Sequence, residues 1–324
     1  MPKKKAARRF VYITVIIWFF LWVIKMVTKL GTESGTESQS GTELDTSTPF
    51  VPYVAPEFKG PTPRLNKHRS KKQMSLLCLI LTTSSTGFKI KAVNDTWAKR
   101  CNKTVYFTDE GDTSQDVVNL GSYRKGREHL TEKVIKAFEY VQKNFTSYDW
   151  FLKADDDTYM IIENLNVLLS YFNSEDPIYL GQNFKYFTRQ GYNSGGAGYV
   201  LSKEALDRLL FGVQFGICTS DGHDEDVDVG KCLDSNGVVA YDTTDKLHRE
   251  TFHAGTMEEH IVGPMSPLLI QYPSFQAQIG PECCSSLTIS FHHVTPSHMY
   301  IVDMLLYQVT VYGRHINESF IGFE

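Results

Sequence analysis

Beyond residue 73 the chain alternates short apolar runs with amphipathic periods. Leu76 to Leu81 and Val105 to Phe107 are apolar runs bounded by polar and glycine-containing turns, the pattern of buried strands. Between Arg127 and Lys143 the apolar Leu130, Val134, Ala137, Phe138 and Val141 recur at spacings of three and four, which predicts a helix with one buried face. Trp150 to Leu152 predict a strand. A second amphipathic helix is predicted through Ile161, Leu165, Leu168, Leu169 and Phe172, and a further strand at Ile178 to Leu180. Such alternation favours an α/β domain whose mainly parallel sheet is covered by helices, with ligands bound at the carboxyl ends of its strands.

The amino-terminal segment has a different pattern. Lys3, Lys4, Lys5, Arg8 and Arg9 precede an apolar run from Phe10 to Ile24 that continues past Lys25. That order predicts a transmembrane signal-anchor at 10–30 with a cytosolic tail at 1–9, a single-pass type II topology. A cleaved signal peptide competes with it, but the bulky Trp18, Phe19, Phe20 and Trp22 and the lack of a small-residue cleavage site weigh against cleavage. Gly31-Thr32-Glu33-Ser34 repeats at once as Gly35-Thr36-Glu37-Ser38, and five prolines follow between Pro49 and Pro63. Polar low-complexity sequence cannot bury a core, so residues 31–72 read as a disordered stem open to O-glycosylation. Residues 73–324 are then the lumenal domain, long enough for one full core.

Net charge is −4 over 324 residues, and the basic cluster from Arg64 to Lys72 stands alone, so a nucleic-acid partner is not expected. A lumenal address permits disulfides among the six cysteines. Proximity pairs Cys78 with Cys101 and Cys218 with Cys232; Cys283 and Cys284 are left as an adjacent pair or as two free thiols. Asn94, Asn102, Asn144 and Asn317 head glycosylation sequons.

Asp155-Asp156-Asp157 closes the Trp150 strand. Three adjacent carboxylates repel one another, and hard oxygen ligands at a strand end suit a divalent cation that carries a diphosphate. The plain alternative is an acidic turn or a helix start. Ser194 to Ser202 holds Gly195, Gly196 and Gly198, which allow close backbone approach before Ser202 caps a helix around Leu206 and Leu209. Its spacing is not that of a dinucleotide fingerprint. Asp224 to Gly230 offers carboxylates beside apolar residues, one of which can act as a general base; the alternative is a solvated acidic helix start. Phe291-His292-His293-Val294 offers a histidine that can complete an aspartate-bound metal site or be a satisfied core residue.

The series Thr96 to Lys103, Trp150 to Tyr159, Ser194 to Leu206, Glu225-Asp226-Val227, Gly280-Pro281-Glu282-Cys283-Cys284 and Ser290-Phe291-His292 is similar to the core 1 β1,3-galactosyltransferase family. The resemblance covers nearly the whole lumenal domain. It implies a GT-A fold, a Golgi membrane location, UDP-galactose as donor, Mn²⁺ as cofactor, and N-acetylgalactosamine O-linked to Ser or Thr of glycoproteins as acceptor; it also admits a homodimer. Carried over residue by residue, it implies Asp155, Asp157 and His292 as metal ligands and Asp226 as the base. Asp156, Gly195, Gly196 and Ala197 fall to the donor side, with Trp97 packing beneath the nucleotide. Glu225, Tyr272 and Phe275 fall to the acceptor side.

Two departures accompany the resemblance. Asn94 stands where the family tends to have a basic residue, and Pro267 to Phe275 replaces a Trp/Tyr-rich stretch, leaving Tyr272 and Phe275 as aromatic faces. Three readings follow: an active core 1 galactosyltransferase, a β1,3-glycosyltransferase of the same fold with another acceptor or donor, and a non-catalytic lumenal chaperone. The intact Asp triplet, the Glu-Asp-Val element and His292 weigh against the third.

Overall fold

The computed structural model describes residues 74–83, 87–109, 116–121 and 126–310. The predicted tail, signal-anchor and stem at 1–72, and Asn317, lie outside the described residues. No helix among the described residues is long and apolar enough to cross a membrane.

Strand β1 (Leu76–Leu81) leads to helix α1 (Gly87–Asp95), then β2 (Lys103–Thr108) and β3 (Val117–Asn119). Helix α2 (Leu130–Asn144) precedes β4 (Trp150–Asp155), β5 (Tyr159–Met160) and α3 (Ile162–Leu169). Strand β6 (Ile178–Gly181) is followed by a hairpin of β7 (Asn183–Phe184) and β8 (Tyr192–Asn193), then by β9 (Tyr199–Ser202). Helices α4 (Lys203–Gln214) and α5 (Glu225–Ser235) and strand β10 (Val239–Ala240) come next. The described chain ends with α6 (Met257–Ile261), α7 (Pro267–Gln271), β11 (Ser290–Phe291) and α8 (Pro296–Tyr307).

Seven strands form the main sheet in the order β10-β6-β9-β4-β1-β2-β3. All neighbours pair parallel except β9, which runs antiparallel to both β4 and β6. The reversal has a local cause: β9 is reached from β6 through the hairpin, not through a helical crossover of the kind that parallel neighbours require. The predicted α/β class and mainly parallel sheet are present.

Alternation along β1 divides the core between the two faces of the sheet. Leu76, Cys78 and Ile80 pack with Trp97, Trp150, Leu152 and Leu165 on one side; Leu77 and Leu79 pack with Phe107, Phe138, Phe151 and Leu209 on the other. Each predicted strand and helix is found within a few residues of its expected bounds. The strand β9 was not foreseen, because its four residues are buried on both faces and read as the approach to the Ser202 cap. Ser202 does cap α4, its side chain accepting from the Ala205 amide.

All three cysteine pairs form: Cys78 with Cys101, Cys218 with Cys232, and the adjacent Cys283 with Cys284. Asn94, Asn102 and Asn144 are exposed.

Candidate active site

Asp155 is the last residue of β4 and lies in register with Leu81, so the triplet emerges beside the carboxyl end of β1. Each carboxylate meets a cation or a donor there. Asp155 Oδ1 is 3.0 Å from Lys153 Nζ. Asp156 is buried, with Oδ1 2.8 Å from Lys89 Nζ and Oδ2 accepting from the Thr82 hydroxyl at 2.8 Å. Lys89 also stands 3.9 Å from Asp157 Oδ2. It occupies α1 five residues before Asn94, so the helix supplies a cation to the triplet despite the uncharged Asn94.

The second component is brought from 135 positions downstream. β11 pairs antiparallel with β5, Phe291 opposite Tyr159, and the Val294 amide donates to the Asp157 carbonyl at 2.8 Å. This return places His292 Nε2 3.3 Å from Asp157 Oδ1 and 4.0 Å from Asp155 Oδ2. The other ring nitrogen, Nδ1, donates to the Ala254 carbonyl at 3.2 Å, which orients the ring with Nε2 toward the carboxylates. Burial alone would raise the Asp157 pKa, but the His292 hydrogen bond and charge, with Lys89 and His293, bring it down to about 2.

Asp157, His292 and His293 offer ligand atoms all within 4.8 Å of one another. His293 was given no role by sequence reasoning. It lies in the left-handed region at φ 54° and stacks on His292 with ring centroids 3.7 Å apart. Carboxylate oxygen together with neutral imidazole is a donor set that fits Mn²⁺. Lys153 engages one oxygen of Asp155 and so leaves Oδ2 for an ion.

The glycine run closes the gap between this cluster and Asp226. A β-carbon at Gly196 would collide with the His292 imidazole, and one at Gly195 would sit 2.5 Å from Glu225 Oε1. Glycine is therefore required for contact between functional groups, beyond the pocket-lining part expected of it. The Gly195 amide donates to Asp226 Oδ2 at 2.9 Å, and the Val227 amide to Oδ1 at 2.9 Å. Burial pushes the Asp226 carboxyl up from its ordinary value against these bonds and the nearby Lys153.

Lys153, one turn of strand before the triplet, ties these parts together. It is fully buried and reaches Glu225 Oε1 at 2.6 Å and the Gly195 carbonyl at 3.2 Å, besides Asp155. Burial alone would lower its pKa; the two carboxylates outweigh burial and raise it. The Tyr199 hydroxyl donates to Glu225 Oε2 at 3.2 Å. Both oxygens of Glu225 are engaged at the start of α5, Oε1 by Lys153 and Oε2 by Tyr199. The solvated helix start weighed above applies only to Asp224, which is exposed.

A cavity of about 480 Å³ opens onto Asp155, Asp156, Asp157, Glu225 and His292. Lys89, Arg127 and Lys133 line the same cavity, so cations and carboxylates share its surface. None of the three stood out in the sequence, since lone lysines and arginines on helices are usual on solvated faces. Trp97 has no exposed surface and packs in the core. Ala197 is buried, its carbonyl accepting from the Ser290 hydroxyl at 2.6 Å. Tyr272 joins Phe184 and Tyr186, whereas Phe275 stacks on His248 at 6.1 Å and lies apart from that group.

This geometry agrees with comparisons to known proteins. The chain matches the Fringe-like family over residues 79–305 and belongs to that family. It is similar to a glycoprotein-N-acetylgalactosamine 3-beta-galactosyltransferase 1 of Xenopus laevis, 39% identical over 249 residues that cover 75% of this chain and 69% of that protein. A beta-1,3-glucosyltransferase of Mus musculus is 28% identical over 219 residues, covering 66% of this chain and 40% of that protein. Among solved structures, the galactosyltransferase LgtC in complex with donor and acceptor sugar analogs aligns at a TM-score of 0.39 and 10% identity, covering 72% of this chain and 97% of that one.

Proposed function

We propose that the chain is an inverting GT-A glycosyltransferase that moves galactose from UDP-galactose in β1,3 linkage onto N-acetylgalactosamine O-linked to Ser or Thr of glycoproteins. The observation that carries this is the meeting of Asp155, Asp157 and His292 with Asp226 across Gly195 and Gly196, in a chain 39% identical to a galactosyltransferase of that specificity. Asp155, Asp157 and His292, with His293 beside them, would hold Mn²⁺, which supplies charge neutralisation to a departing diphosphate. Lys89, Arg127 and Lys133 line the same cavity and would add positive charge for such a diphosphate.

Asp226 takes the proton from the acceptor 3-hydroxyl. Two backbone amides orient its carboxylate, and burial raises its proton affinity above that of an ordinary aspartate. A single base suffices, because the leaving diphosphate needs no protonation. Lys153 and Glu225 keep the base and the triplet at a fixed separation.

The same proposal covers the remainder of the chain: a cytosolic tail at 1–9, an anchor at 10–30, a stem at 31–72 and a lumenal catalytic domain in the Golgi, with a homodimer as its assembly. A second reading, a β1,3-glycosyltransferase with a different acceptor, is favoured by one observation. Leu268 and Ile270 are exposed in α7, where the resembling family carries aromatic residues. The purified full-length chain, assayed with Mn²⁺ against a panel of UDP-sugars and acceptors, tests both. Transfer of galactose to N-acetylgalactosamine glycopeptides is expected; transfer only of another sugar, or only to another acceptor, replaces the first reading by the second.

A further inference from the structure

The replaced stretch at 267–275 leaves the acceptor side short of aromatic faces, yet the hairpin of β7 and β8 supplies others. Tyr186 and Phe187 at its tip are 43% and 60% exposed, an unfavourable state for two adjacent large aromatic side chains unless something covers them. They are not loosely held. The Lys185 amide donates to the Tyr272 carbonyl at 2.9 Å, the Ser274 amide to the Asn183 carbonyl at 2.9 Å, and Phe184 bridges to Pro273. These bonds dock the hairpin onto the segment after α7 and set the Tyr186 and Tyr272 rings 4.9 Å apart, with Phe187 6.4 Å from Tyr272.

The group adjoins the reaction centre on two sides. Phe184 and Tyr192, which lie beneath these rings, form one buried cluster with Val227, the residue after the base. Ala254, whose carbonyl holds His292, packs against the same cluster. Phe187 adopts φ 67°, a conformation that a bulky side chain rarely takes. Such a conformation persists where its surroundings impose it, and here it belongs to the most exposed ring of the group.

We propose that Tyr186 and Phe187, with Tyr272, form the platform that receives the apolar face of the acceptor sugar, in place of the aromatic residues missing from 267–271. This rests on the reading of the chain as a glycosyltransferase. A hexopyranose presents a face of C–H groups that an aromatic ring can cover while its hydroxyls remain free for Asp226. Rings fixed by backbone bonds accept it with little loss of conformational freedom.

The test uses the full-length chain in detergent with Mn²⁺, UDP-galactose and an N-acetylgalactosaminyl-threonine glycopeptide. Tyr186→Ala and Phe187→Ala are expected each to raise the acceptor KM about tenfold or more while the KM for UDP-galactose stays within about twofold. Phe187→Gly separates platform from scaffold: glycine accepts the positive φ, so thermal stability is retained or improved while the acceptor KM still rises. Phe187→Trp keeps a face and is expected to keep the affinity. An unchanged acceptor KM in the Tyr186→Ala, Phe187→Ala double variant overturns the platform.

If the wild-type chain transfers galactose only to a different acceptor sugar, the acceptor reading fails, and the same variants compared on that sugar decide the platform. If it transfers to none, saturation-transfer NMR with the glycopeptide decides it. Saturation of sugar-ring protons in the wild type that is lost in the variants supports the platform; saturation confined to the peptide, or none, overturns it.

Discussion

The two sides of the candidate cleft are built by opposite means. On the donor side, charged groups are half-buried or buried and pinned on strand ends: Lys153 meets two carboxylates and a carbonyl, Asp156 meets Lys89 and Thr82, and His292 is oriented by a backbone oxygen. On the proposed acceptor side, the exposed rings of Tyr186 and Phe187 stand on a hairpin held by backbone bonds to the segment after α7. The contrast separates two tasks. Placing a cation against a diphosphate needs ionic groups that cannot relax, whereas covering a sugar face needs apolar area that can vary in residue type while keeping its place. Losses on the donor side should accordingly be large and appear in turnover, and changes on the acceptor side should be smaller and appear in acceptor affinity.

The largest effect is expected for Asp157→Ala. Loss of a ligand to the cation should remove several kcal/mol of charge stabilisation, roughly a thousandfold or more in rate, with the fold intact by circular dichroism. Turnover within about tenfold of wild type, or full activity in excess chelator, would remove the metal from the account. Next in size is Lys153→Met, which leaves Asp155 and Glu225 without their buried partner. A stability loss of about 3–5 kcal/mol in chemical denaturation is expected, since an uncompensated buried charge costs more than the ion pair gains. Unchanged stability would show that Lys153 does not hold the two elements together.

Asp226→Asn should lower kcat about a hundredfold or more while UDP and Mn²⁺ affinities stay at wild-type values. An equal fall in UDP affinity would place Asp226 in the donor site. The same residue sets a pH dependence: the base works only when ionised, and burial raises its pKa, so activity is lost as pH falls through a value above the ordinary aspartate value of about 3.9. A pH–rate profile with an acid limb at or below that value would contradict the burial. The smallest effect belongs to the acceptor side. Ile270→Tyr with Gln271→Trp extends the aromatic surface next to Tyr272 and should lower the acceptor KM about threefold without altering that for UDP-galactose. A shift in the donor KM instead would blur the division between the two sides.

Much of the donor side was legible in the sequence because its signals are local. An apolar run ending in Asp155 to Asp157 states both a strand and what its end carries, and the Asp226 element lies at a helix start that the residues themselves announce. His292 was legible as a residue type, but its approach to Asp157 depends on the pairing of β11 with β5, which no spacing encodes. Lys153 was hidden by its setting in a strand, where a single lysine reads as an ordinary interruption of the apolar run. The acidic helix start gives no sign that the Glu225 side chain is buried against Lys153 and Tyr199. The aromatic platform was missed for a related reason. Tyr186 and Phe187 precede Tyr272 by more than eighty residues, and only backbone bonds between two irregular segments bring them together.

The most direct test of a single displacement assisted by one base is the anomeric configuration of the product. With UDP-galactose, Mn²⁺ and an N-acetylgalactosamine glycopeptide, NMR of the purified product should show galactose in β linkage to the 3-position, inverted from the donor. An α-linked product would require a double displacement or front-face route that Asp226, alone as base, cannot provide, and would contradict the account.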